Sequence, residues 1–191
     1  MAAWSSSRNT VNRRISRSLI TGVFVLCFAA LASADMLTFD GMGLNRNVKI
    51  HGPGFGLMTP AGEMLLTYEG ESVVGYCVDV WQTAGSGDMT RTELTDHDWG
   101  HEVAWLYETY GEVNDGTEAA ALQVAIWEVI NELDANPYDV DAGSFYVSNN
   151  NAVRAAADSM LAGLPAEYTP EYVHYVMTHP DHQDLFVPTD T

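Results

Sequence analysis

Met64-Leu65-Leu66-Thr67-Tyr68-Glu69-Gly70-Glu71-Ser72-Val73-Val74-Gly75-Tyr76-Cys77-Val78-Asp79-Val80 reads as two β-strands joined by a tight turn. Met64–Tyr68 and Val73–Val80 are apolar and β-branched runs, and Glu69-Gly70-Glu71 between them is a turn signal. Cys77 then falls near the end of a strand whose composition is that of a largely buried one. Working toward the N-terminus, the chain stays β-like back to Met36. Asn47-Val48-Lys49-Ile50 forms a weaker strand ahead of the loop His51-Gly52-Pro53-Gly54.

Toward the C-terminus the period changes to that of a helix after Thr95. Asp96 or Asp98 can cap a helix that runs to Tyr110 and stops at Gly111, with Val103, Leu106, Tyr107 and Tyr110 on its inner face. Asp115 and Glu118 have capping-box spacing at the start of a second helix. Leu122, Ile126, Val129 and Leu133 give that helix an apolar stripe, with Gln123 and Trp127 one turn apart beside it. A third helix is expected over Asn151–Leu161, with Ala156, Met160 and Leu161 facing in and Gly163 and Pro165 ending it. Two short strands, Tyr172–Met177 and Leu185–Val187, close the chain. The order predicts an α+β fold: N-terminal strands carrying Cys77, a central segment of about three helices carrying Gln123, and short C-terminal strands.

The first 34 residues read as a secretory signal. Arg8, Arg13, Arg14 and Arg17 make a basic start, Leu19–Leu31 an apolar run, and Ala32-Ser33-Ala34 a small-x-small cleavage site. The apolar run falls short of the about 20 residues that a membrane-spanning helix needs. Cleavage after Ala34 leaves one domain, residues 35–191, exported to the medium or the cell surface, with no transmembrane segment expected in it. All 26 acidic residues lie in that part, against Arg46, Lys49, Arg91 and Arg154, for a net charge of −22 over 157 residues. Such a surface repels a phosphate backbone and excludes a nucleic-acid binder. It reads either as an adaptation to solubility or a saline setting, or as a field that would draw in cationic groups such as lysine amines.

Cys27 leaves with the signal, so Cys77 is the single cysteine of the mature chain. Exported proteins usually pair their cysteines, which leaves three readings: a buried inert thiol, an intermolecular disulfide or a reactive group. Gln123, taken alone, reads as an ordinary surface polar residue of a helix, and Trp127 as core packing. Two histidine groupings deserve weighing. His97 and His101 stand at i, i+4 with Glu102 adjacent, a zinc-compatible spacing with no evident third and fourth ligand. His174, His179 and His182 could cluster near the C-terminus, but two of them flank Pro180 in a loop, and surface histidines are the simpler reading. No metal or cofactor is expected.

Tyr76-Cys77-Val78-Asp79 and Leu122-Gln123-Val124-Ala125-Ile126-Trp127-Glu128 together resemble the thioester-domain family of bacterial surface proteins. The first matches that family's aromatic-Cys-aliphatic-acid motif, and the second its Gln-x-Ala-Ile-Trp helix motif. Tyr68-Glu69-Gly70, Ala104-Trp105-Leu106-Tyr107 and Gln183-Asp184-Leu185-Phe186-Val187 extend the likeness over nearly the whole mature chain. The motifs stand in the right order, 46 residues apart, with the single mature cysteine in one of them. Leu122 occupies the place where Gram-positive adhesins often have Thr, and no sortase-type signal or C-terminal apolar anchor is seen. The chain thus looks closer to a Leu-Gln branch of exported proteins from environmental bacteria than to the host adhesins.

The resemblance implies an intramolecular thioester: the Cys77 sulfur attacks the Gln123 carboxamide and ammonia leaves. A thiol attacks an amide poorly in water, so the fold must enforce proximity, which can be worth about 7–11 kcal/mol. Tyr76, Trp81 and Trp127 are bulky neighbours able to exclude water from the bond, while Asp79 and Ala125 complete the two motifs. The stored electrophile would then be opened by an amine, in the family a lysine on a partner protein, or by a polyamine, giving a covalent tether without turnover. Two other classes stay open: a non-covalent structural or binding domain of the same fold, and a secreted hydrolase or metal-binding protein. A cysteine hydrolase would need an imidazole beside a thiolate, commonly at a helix start, whereas Cys77 is expected on a strand.

Overall fold

The computed structural model describes residues 34–133, 135 and 137–189. The secretion signal expected at the N-terminus lies outside the described residues, apart from Ala34.

Seven strands and three α-helices make up the described chain, with more strand than helix, an α+β architecture. The strands are β1 (Ala34–Gly52), β2 (Phe55–Tyr68), β3 (Glu71–Cys77), β4 (Gly87–Glu93), β5 (Tyr146–Val147), β6 (Tyr175–Thr178) and β7 (Leu185–Val187). They pair antiparallel in the order β2-β3-β7-β6-β4-β1-β5, and β1 also pairs with β2, so six of them close a ring. The long β1 makes closure possible: Ala34–Leu37 pair with β4, Leu37–Gly52 with β2, and Ile50–His51 with β5.

Local chemistry fixes the register. Tyr68 pairs with Glu71 across a two-residue loop, and Glu69 and Gly70 both have positive φ (52° and 87°). That is the requirement of a type I′ turn, whose twist matches that of the strands it joins. On β2, Met64 and Leu66 are buried while Leu65 is exposed, the period of a one-faced strand. The β1–β2 ladder is interrupted by irregularities between Phe39 and Gly41 and between Met42 and Asn45. Gly62 sits opposite the second with φ 140°, and a Cβ there would lie 2.2 Å from the Leu44 carbonyl oxygen, so only glycine fits.

The helices are α1 (Gly100–Tyr110), α2 (Gly116–Asn131) and α3 (Asn151–Leu161), with a 3₁₀ turn at Leu94–Asp96. Asp115 caps α2: its Oδ1 accepts the N–H of Thr117 at 2.5 Å and of Glu118 at 3.1 Å. Glu118 reaches back one residue further than the capping-box reading implies, accepting from the backbone N–H of Asn114 at 2.7 Å. Every residue from Ala119 to Val129 is buried. A helix apolar all round belongs inside a protein, and α2 is the central one, packed against β1, β2 and α3.

Several sequence expectations shift. Neither Asp96 nor Asp98 caps α1; Trp99 holds that position without a side-chain bond, and Asp96 belongs to the 3₁₀ turn. Leu133 lies past the end of α2 and is exposed, because the helix stops at Asn131. On α3 the inward residues include Val153 and Ala157, whereas Ala156 is only half-buried. β3 ends at Cys77 rather than Val80, although the Val78 N–H still bonds to the Asp184 carbonyl at 3.0 Å. β6 starts at Tyr175, later than the expected Tyr172. No helix among the described residues is long and apolar enough to cross a membrane.

Candidate functional site

Cys77 is the last residue of β3 and Gln123 lies in the middle of α2. The fold brings them into direct contact. The backbone N–H of Cys77 donates to Gln123 Oε1 at 2.9 Å, and Gln123 Nε2 donates to the Cys77 carbonyl at 2.8 Å. The carboxamide is thus clamped from both ends by the backbone of the cysteine residue. Gln123 is 1% exposed and Cys77 3%. A glutamine beside an apolar stripe is therefore an interior residue here, and its polar atoms are satisfied by the backbone N–H and carbonyl of the last residue of β3.

Trp127, one turn along α2, is also buried, and its indole N–H donates to the Cys77 sulfur at 3.3 Å. The thiol in turn donates to the Asp79 carbonyl at 3.1 Å. Burial pushes the Cys77 thiol up to about 12, a rise that the Trp127 N–H opposes and the Asp79 and Asp184 carboxylates reinforce. The sulfur is consequently a neutral thiol at neutral pH, held at a fixed place.

The other residues picked from the sequence divide. Asp79 turns the chain after β3: its Oδ1 accepts the Trp81 N–H at 2.8 Å, and its carbonyl also accepts from Gln183 Nε2 at 2.7 Å. Ala125 is fully buried within α2. Tyr76 is fully buried, but alternation along β3 directs it away from the Cys77 side. Its ring packs edge-on against Tyr107 at 6.2 Å. Trp81 stands apart, 60% exposed, with its ring against Phe55 at 4.5 Å. It does not line the space beside Cys77. Of the three proposed water-excluding aromatics, Trp127 alone touches the sulfur.

That space is a pocket of about 370 Å³ bounded by Cys77, Gln123 and Trp127 on one side and by β1 and β2 on another. Sequence reading missed its outer wall, which includes Phe39 and Met42 from β1 and Gln82 and Gln183 from two loops. The Gln183 side chain ties these loops together, since its Nε2 also approaches the Gln82 carbonyl at 3.2 Å. A sequence signal existed for Gln183, which opens the late Gln183–Val187 motif. None existed for Phe39 or Met42, whose strand is broken by glycines.

The histidines go elsewhere. His97 bonds Thr92 Oγ1 at 3.0 Å and stacks on Trp99, while His101 is exposed in the first turn of α1. His174 is buried, with Nε2 3.0 Å from Glu108 Oε1 and Nδ1 accepting the Thr189 N–H at 3.3 Å. His179 and His182 stack on each other at 4.5 Å. Among the described residues no group of three His, Cys, Asp or Glu is placed to hold a metal ion. Compared with known proteins, the chain matches no family model, no curated protein and no solved structure.

Proposed function

We propose that Cys77 and Gln123 form an intramolecular thioester, and that the protein, exported and displayed at the cell surface or released, uses it to attach covalently to an amine-bearing partner. The observation that carries this reading is the reciprocal clamp between the Gln123 carboxamide and the Cys77 backbone, two residues that line one pocket. The resemblance of the two motifs to the thioester-domain family supports it.

The chemistry follows from the contacts. Attack of sulfur on Gln123 Cδ places negative charge on Oε1, where the Cys77 N–H already donates at 2.9 Å. A donor aimed at a developing oxyanion is worth most in a buried site. Carbon–nitrogen cleavage releases Nε2, which takes up the thiol proton and leaves as ammonia. In the reverse sense, an amine that attacks the thioester carbon expels the sulfur, whose negative charge the Trp127 N–H stabilises. The products are a substituted amide on Gln123 and a free Cys77 thiol. A tether that is made once is not turnover, so the reading is a binding protein and not an enzyme. The sulfur's hydrogen-bond partners are an indole and a backbone carbonyl rather than an imidazole, which favours this over a cysteine hydrolase.

Intact mass decides. The purified protein should weigh one ammonia less than its sequence requires, and methylamine should add its full mass while unmasking one thiol. A protein that keeps the ammonia and takes up no amine would instead be a structural or binding domain in which the clamp serves only the fold.

A further inference from the structure

β2 has one edge that the fold leaves open. β1 pairs with β2 along its whole length, but β3 covers the other edge only from Met64 to Tyr68. Over residues 55–63 no strand among the described residues pairs with that edge. The register tells which backbone groups point there. Gly52 and Phe55 face each other across the two-residue turn Pro53-Gly54, and such a turn closes on a hydrogen-bonded pair. Alternation from that pair is unbroken as far as Gly62, so Leu57 and Thr59 bond toward β1, while the N–H and C=O of Gly56 and Met58 point outward. Pro60 also falls at an outward place, where no N–H is needed for the β1 ladder. Charge commonly protects an open edge, yet residues 52–62 contain none, on a chain with 26 acidic residues. Leu57 and Met58 are 49% and 54% exposed there, and the exposed Trp81 lies against Phe55 at the hairpin end.

This edge borders the proposed bond. Thr59, Pro60 and Gly62 line one pocket with Cys77 and Gln123, and Cys77 belongs to β3, the strand on that same side of β2. Resting on the thioester reading, we propose that the open edge of β2 recognises the partner as an extended polypeptide segment, which adds to the sheet beside residues 56–59 and turns a lysine into the pocket. Main-chain bonds to Gly56 and Met58 hold the segment, and Leu57 and Trp81 offer apolar surface to its side chains. Side chains of an added strand alternate between faces, so those on the Leu57 face are directed to the pocket. There the lysine amine, as its free base, attacks Gln123 Cδ. The carbon–sulfur bond breaks, the proton lost by nitrogen goes to Cys77 Sγ, and a secondary amide remains. The acidity of the chain repels a second copy of itself from this edge and favours a cationic segment.

The test follows the intact mass of the purified protein with two capped amines of equal charge at equal concentration. One is Nα-acetyl-lysine methylamide; the other is an acetylated and amidated pentapeptide, threonine-valine-lysine-valine-threonine. The pentapeptide should react on the order of 10-fold faster, from the main-chain bonds it alone can make. Two analogues, methylated on the valine nitrogens or on the lysine backbone nitrogen, should then differ. Alternate N–H groups of an added strand face β2, so one analogue should fall to the single-lysine rate and the other should keep the gain. Met58→Pro removes an outward donor, and the ratio of the pentapeptide rate to the single-lysine rate should drop toward one. The analogues act on the wild type, so a variant that fails to fold does not decide the outcome. Equal rates for the pentapeptide and the single lysine, or analogues that react alike, overturn the edge assignment, while a methylamine adduct leaves the thioester standing. A dimer in sedimentation that Met58→Pro dissociates assigns the edge to a second copy and overturns it as well. A wild-type protein that retains its ammonia overturns both readings.

Discussion

Gln123 carries two burdens, and its replacement should separate them. Its carboxamide is the acyl donor of the proposed bond and also the partner of the Cys77 N–H and carbonyl. Gln123→Ala should therefore take up no methylamine, and it should also lose about 1–3 kcal/mol of stability, because the buried Cys77 N–H loses the acyl oxygen it donates to. Urea unfolding and intact mass on the same variant check both halves, and an amine adduct at the wild-type level would remove Gln123 from the chemistry. Trp127 can be divided in a similar way. Its indole is buried and its N–H donates to the sulfur at 3.3 Å. Trp127→Phe keeps a buried aromatic at the site and loses the donor, so hydrolysis of the thioester should remain slow while aminolysis falls by about 10-fold, the value of a hydrogen bond to a charged leaving group. A Phe variant with wild-type aminolysis would reduce Trp127 to packing.

At the level of elements, β1 and β2 hold the pocket wall, and their irregular register depends on glycine. Gly41 and Gly62 have nearly the same φ, 138° and 140°, but a Cβ on Gly41 meets nothing within 4 Å, whereas one on Gly62 meets the Leu44 carbonyl oxygen at 2.2 Å. Gly41→Ala should cost about 1–3 kcal/mol of backbone strain alone. Gly62→Ala should cost clearly more, and it should impair amine uptake through the displaced wall. Urea midpoints that rank the two variants the other way would contradict this account of the bulge. The same glycines explain what the sequence hid. β3, α2, α3 and β7 were legible because each has an unbroken period and a clear turn or cap. In the first half of β1 and the start of β2 only the β-like character was legible and not the strand bounds, and β4 was not legible at all, because glycines and polar residues interrupt their alternation. The site was legible in its two motifs and in Trp127. Phe39 and Met42 were not, since they reach the pocket through long-range pairing that no local pattern records, and neither was Gln82, which lies in a loop held by Gln183. Trp81 misled for the converse reason: proximity in sequence to Cys77 put it past the end of β3, where it turns to Phe55.

Across the whole molecule, the carboxylates set how stability varies with pH, and they do not all act in one direction. Glu108 and Glu132 are raised by burial, but hydrogen bonds outweigh it, from Tyr168 to Glu108 and from Phe145 and Ser144 to Glu132, and both end up lowered. Their contribution is present above the ordinary carboxylate range and is lost as the pH falls below it. Glu128 works the other way. It is 1% exposed, its Oε1 accepts the Asp139 N–H at 3.1 Å, and its buried Oε2 has no partner among the described residues. Burial raises it from 4.5 to about 7, reinforced by the carboxylates of Glu132, Asp139 and Asp158. Between those values the folded protein holds a proton that the unfolded chain has released, so raising the pH through this window removes stability. Burial also raises Asp158 and Asp184, which act in the same direction. The protein should accordingly be most stable in mild acid, with a higher urea midpoint near about pH 5.5 than near about pH 8. General repulsion among the acidic side chains gives a similar trend, but about 1 M salt shortens the Debye length to about 3 Å and suppresses it, while a buried carboxyl is little affected. The scan is therefore run in high salt with Glu128→Gln beside the wild type. The glutamine keeps an acceptor for Asp139 and carries no charge, so the variant should exceed the wild type by roughly 1–2 kcal/mol near about pH 8, and the difference should close toward about pH 4. A difference that stays constant with pH would mean that Glu128 does not titrate in this window, and that repulsion at the surface alone produces the slope.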